Sequence, residues 1–146
     1  VPRTLENAHL LMTLVCLETD DVPGARMALS QAERFSTLPV EAWQMAAINE
    51  LQRARRQALQ ARLELWDRRP THAVRLLRQA LQAWSLAEQE SKQIQARSWE
   101  KLAMRVELAR ALALAGDFAA ARQELADALQ PSQEPTLAQT MSLNMA

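Results

Sequence analysis

Apolar residues fall along this chain in helical stripes. Between residues 46 and 66 they stand at Ala47, Leu51, Ala54, Ala58, Ala61 and Leu65. These steps of four and three draw one continuous seam on an α-helix. The spacing predicts a helix from about Pro39 or Glu41 to Trp66, followed by the turn Asp67–Arg69. The next helix opens on Pro70, which a first helical turn tolerates, and runs to about Gln89. Leu102, Val106, Ala109 and Leu112 or Ala113 continue the spacing in a long segment that starts near Ser91. Gly116 ends it, because glycine takes the left-handed C-terminal conformation without steric cost. Asp117 then N-caps a helix from Phe118 to about Leu129, so residues 92–129 read as a helical hairpin. Near the start, a helix over Thr4–Glu18 meets Asp20-Asp21-Val22-Pro23-Gly24, and a second helix runs to about Phe35.

The second helices are copies of one another. Ala25, Leu29 and Ala32 recur 48 residues on as Ala73, Leu77 and Ala80, and again as Ala121, Leu125 and Ala128. A fixed period of this size marks a repeat array in which each hairpin buries its apolar face against the next. The alanines fall where the two helices of a hairpin approach, and a larger side chain there would force them apart. Repeats of about 1–36, 37–90 and 91–130 make one domain over residues 1–130. Ser36-Thr37-Leu38-Pro39 is the clearest linker, whereas the junction near Glu88–Lys92 has neither Gly nor Pro. In residues 131–146, Leu137, Met141 and Met145 are spaced for a short capping helix or the start of another repeat; a plain tail or linker is the alternative.

Composition agrees with an all-α fold: 49% hydrophobic residues, two glycines and no tyrosine in 146 residues. Seventeen basic and seventeen acidic residues cancel, which removes any general drive toward nucleic acid or an anionic membrane. No apolar run approaches the roughly 20 residues of a membrane span, and no signal peptide is recognisable. The lone Cys16, inside the apolar run Leu10–Leu17, reads as a buried structural thiol in a reducing compartment. Because the chain begins at Val1 and enters a helical pattern almost at once, it reads as part of a larger, cytoplasmic protein.

The run from Leu108 to Ala121, LARALALAGDFAAA, resembles a tetratricopeptide repeat, with Leu125 and Ala128 at its next two positions. The first two copies match mainly in their second helices, and the period exceeds the usual 34 of that family. The longer period resembles the superhelical sensor region of the maltose-regulator type of large ATP-dependent, LuxR-family transcription activators. The resemblance covers about residues 1–130. It implies a right-handed α-solenoid of three tetratricopeptide-like hairpins, in a region that recognises an inducing signal and controls assembly of the regulator. No ligand residue carries over, since no ligand motif is matched.

Chemistry is sparse. His9 and His72 stand 63 residues apart without a metal-ligand motif, and both glycines are accounted for by turns. No nucleophile motif is present, so neither an enzymatic activity nor a cofactor is expected. Trp43, Trp66, Trp84 and Trp99 are expected mainly to fill seams between repeats. Trp43 or Trp99, near the start of a first helix, is also a candidate for lining a binding groove. Charge is unevenly placed: residues 53–78 carry eight arginines and a net +6, against −4 before them and −2 after. Arg53, Arg56, Gln60 and Glu64 form a row opposite the alanine seam, and in tetratricopeptide folds first helices line the concave surface. By that resemblance Arg53, Arg56 and Gln60 are candidates for capturing a carboxylate or phosphate; the alternative is a solvated face paired with acids. The expected role is a sensing or interaction module that binds a protein or peptide, or a small-molecule effector, in a concave groove. An adaptor, an assembly scaffold or a self-associating spacer are the rival readings.

Overall fold

The computed structural model describes residues 2–36, 46–95 and 98–130, and every regular element among them is a helix. In order these are α1 (Pro2–Glu18), α2 (Val22–Ser36), α3 (Ala46–Trp66), α4 (Pro70–Glu90), the single turn α5 (Lys92–Gln95), α6 (Ser98–Leu114) and α7 (Phe118–Leu129). α1 packs on α2, α3 on α4, and α6 on α7. Between pairs, α4 lies along α6, whereas α1 and α2 touch α3 more lightly. Trp43, the linker beyond Ser36 and the segment 131–146 lie outside the described residues.

The turn inside each pair is the same motif, written three times at the sequence period. Asp20, Arg68 and Gly116 all have positive φ, at 60°, 61° and 88°. The following amides, those of Asp21, Arg69 and Asp117, donate back to Cys16, Glu64 and Leu112 at 2.8, 2.8 and 2.9 Å. This is the doubly bonded helix ending that a left-handed residue creates, and it satisfies carbonyls that the helix leaves open. Two of the three next helices are then side-chain capped: Asp21 accepts from the Gly24 amide at 3.0 Å and Asp117 from the Ala120 amide at 3.1 Å. Arg69 provides no such cap, and Pro70 at that helix start has no N–H, so one fewer acceptor is needed.

Three apolar clusters follow from the repeated triplet. Ala25, Leu29 and Ala32 pack with Leu10, Cys16 and Leu17 of α1 and Leu63 of α3. Ala73 and Leu77 meet Ala61 of α3, Leu108, Ala111 and Leu112 of α6, and Ala121 of α7. Ala80, Ala83, Trp84 and Ala87 meet Leu51 and Ala54 of α3, Ile94 of α5 and Met104 of α6. Trp84 has no exposed surface, and its indole N–H donates to Glu88 Oε1 at 2.9 Å while Lys101 holds Glu88 Oε2 at 3.0 Å. It fills a seam, as expected for the tryptophans in general, whereas Trp66 and Trp99 are exposed and do not.

Where the long segment from Ser91 passes through residues 96 and 97 it lies outside the described residues. One expectation changes. In α6, Leu102 and Val106 are exposed, whereas Ala109 and Leu112 of the same stripe are buried, together with Met104, Leu108 and Ala111. α6 is apolar on two faces, so spacing alone cannot tell which face meets α4 and α7.

Candidate functional site

The second apolar face of α6 has a purpose in the geometry. Together with α1 and α3 it bounds an open groove of about 780 Å³. The α1 wall is Asn7, Leu10, Leu11 and Leu14; the floor is Arg55, Ala58, Leu59 and Arg62; the α6 wall includes Trp99, Leu102, Ala103 and Val106. Each helix thus offers one stripe at i, i+3, i+4 and i+7, which is about 10 Å of helix at 1.5 Å per residue. Asn7 accepts from Gln52 at one end of the α1–α3 junction and Arg62 reaches Glu18 at the other, so α1 and α3 run in the same direction. Leu11, Leu14, Leu102 and Val106 are all exposed, and Trp99 is 67% exposed. These residues make a contiguous exposed apolar surface with a polar rim, larger than scattered single apolar side chains give.

The rim charges are almost all matched. Arg55 donates to both oxygens of Glu100, at 3.1 and 2.8 Å, and to Gln52 at 3.1 Å. Arg62 pairs with Glu18 at 3.0 Å. Glu107, one turn beyond Ala103 on the α6 wall, is the exception: it makes no ion pair or hydrogen bond among the described residues, and its Oε2 is shut off from solvent.

Of the candidate residues named from sequence, Trp99 lines this groove. Arg53, Arg56 and Gln60 do not. Arg53 is exposed and pairs with Glu50 at 2.8 Å on its own helix. Arg56 is directed toward α1, where it pairs with the buried Glu6 at 2.5 Å. Gln60 is half-buried away from the groove lining. The structure brings Arg55 and Arg62 to the groove instead, a neighbouring stripe of the same helix. The signal available in the sequence was the apolar pair Ala58 and Leu59 between two arginines, set against exposed leucines on α1.

The arginine block also explains the uneven charge. Arg56 and Arg62 reach acids of α1, Arg55 reaches Glu100 of α6, and Asp67 receives Arg26 of α2. The positive middle repeat is therefore stitched to acids on both neighbours. Beside Arg26, hydrogen-bonded to it, the Asp67 carboxyl is held below its ordinary value, with Arg69 adding to the effect.

The remaining reactive groups are in structural settings. Burial pushes the Cys16 thiol up, Asp21 adds to this, and the side chain sits inside the first cluster. The His9 ring stacks on Phe35 with centroids 5.4 Å apart, and His72 is exposed with Nδ1 3.2 Å from Arg75. No helix among the described residues is long and apolar enough to cross a membrane. Compared with protein-family models, curated proteins and solved structures, the chain matches none of them.

Proposed function

We propose that this chain is a non-enzymatic binding module: a right-handed α-solenoid of three tetratricopeptide-like hairpins, whose groove among first helices takes an apolar segment of a protein partner. The observation that carries the reading is the groove itself, three helices each turning an i, i+3, i+4, i+7 stripe toward one open, apolar channel. Its walls are exposed leucines, a valine and Trp99, which an occupant would remove from water at about 25 cal/mol per Å² of apolar surface. The repeated turns at residues 20, 68 and 116 support the repeat reading. The wider proposal, a cytoplasmic signal-sensing region of an ATP-dependent transcription regulator, rests on the resemblance of residues 108–121 and on the period. A small-molecule effector in the same groove is the alternative occupant.

The test uses Nile red, a neutral dye whose emission reports an apolar site. Saturable binding is expected, weakened at least about tenfold by Ala103→Trp, which fills the channel, and unaffected by Arg53→Glu, which lies outside it. Equal binding to the wild type and Ala103→Trp would remove the groove from the proposal.

A further inference from the structure

We infer that the occupant of the groove is an amphipathic α-helix that presents a basic residue, lysine or arginine, to Glu107. This rests on the groove reading above and names what enters it. Two observations set the shape. The groove opens to solvent rather than closing into a cavity, whereas small-molecule sites enclose most of their ligand. Its three walls carry stripes at the spacing by which helices interdigitate, and a helix laid in a groove is read as anchors at that same spacing.

Charge complementarity sets the chemistry. An acidic partner would have to displace Glu100 from a two-pronged hold on Arg55, or Glu18 from Arg62. Glu107 is the one groove charge with nothing to lose. It is half-buried, it has one carboxylate oxygen shielded from water, and no donor reaches it among the described residues. Its other oxygen is not shut off in this way, and there an ammonium or guanidinium brought in by a partner can neutralise the half-buried carboxylate. The preference of the groove is therefore for apolar plus basic, the opposite of what its arginines suggest on their own.

The experiment is fluorescence anisotropy at low ionic strength, with the full chain and a panel of labelled peptides. Each peptide has about sixteen residues, long enough for partial helicity in water, with leucine on one stripe. A single Lys is moved through successive positions flanking the stripe, and Gln and Glu versions are made at each. The best Lys peptide is expected to bind about five- to tenfold tighter than its Gln counterpart and tighter still than its Glu counterpart. Glu107→Gln should erase that ranking, and Glu107→Lys should reverse it; Arg53→Glu should leave it in place. Equal binding of the three versions, or a ranking that survives Glu107→Gln, overturns the inference. So does a concentration-dependent dimer abolished by Ala103→Trp, which would give the groove to a second copy of the chain. If no peptide binds while Nile red still does, the helical occupant is overturned and the groove reading stands. Loss of both takes the groove reading with it.

Discussion

The α3–α4 pair meets its two neighbours by different means. Toward α6 and α7 the junction is a continuous apolar seam, in which Trp84, Leu77 and Ala61 meet Met104, Leu108 and Leu112. Toward α1 and α2 the apolar part shrinks to Leu63 and Leu59 against the first cluster. The rest is polar: Arg56 with Glu6, Arg62 with Glu18, Gln52 with Asn7 and Arg26 with Asp67. Apolar burial is non-directional and scales with area, whereas ion pairs carry a desolvation cost and depend on geometry, salt and pH. The two junctions should therefore yield to different perturbations.

The largest effect belongs on the apolar side. Trp84→Ala empties a site with no exposed surface and strands Glu88 and Lys101 beside it, which should cost about 3–5 kcal/mol. A lower urea midpoint at unchanged slope would show it, and amide exchange should place the loss first in α4–α6. Equal loss of protection in α1–α2 would mean that the three pairs unfold as one unit and that the junction difference has no energetic consequence.

The polar side gives the next effect. Arg56→Ala leaves Glu6, only 5% exposed, without its partner, and should cost about 2–3 kcal/mol. Adding Glu6→Leu should recover most of that loss, because a buried pair replaced by apolar atoms is often neutral. Failure of the double variant to recover would show that Glu6 holds the junction by something other than its charge pair.

How much of this was legible in the sequence depends on whether a residue's surroundings repeat. The helix order, the turn at Gly116 and the cap at Asp117 follow from residue chemistry, and the alanine–leucine–alanine triplet fixes the 48-residue register. Burial does not repeat so faithfully. Leu29 and Leu77 are 5% and 1% exposed, but Leu125, at the same place in the third copy, is 38% exposed. The candidate site was harder to read because α1 and α6 are apolar on more than one face. Period alone could not say that Leu102 and Val106 line a groove while Met104 and Leu108 are buried. The arginine block was visible as a charge excess; the partners of Arg55, Arg56 and Arg62 lie 44 to 50 residues away, beyond any local pattern.

The smallest effect sharpens the comparison most, since the first junction rests mainly on ion pairs, whereas in the second Arg55–Glu100 and Lys101–Glu88 only flank an apolar seam. Asp67 has a folded-state carboxyl held below its ordinary value of about 3.8, first by the hydrogen bond from Arg26 and then by charge. A group depressed on folding binds its proton more readily in the unfolded chain, so its stabilisation is full above the unfolded value and fades as pH falls through the folded one. Asp67→Asn should therefore lower the midpoint at pH 7, by a small amount because the pair is solvent-screened, and by less as pH falls below about 4, so that its acid limb is flatter by that same small amount. Acid should also expose amides of α1 and α2 before those of α4 and α6. The order follows from the share of each seam that is charged: the first rests on Arg56–Glu6, Arg62–Glu18 and Arg26–Asp67, whereas the second has the packing of Trp84 against Met104 beside its two ion pairs. An acid limb identical in wild type and Asp67→Asn would assign the first junction's stability to Leu63 and its neighbours, and the two seams would then differ in extent rather than in kind.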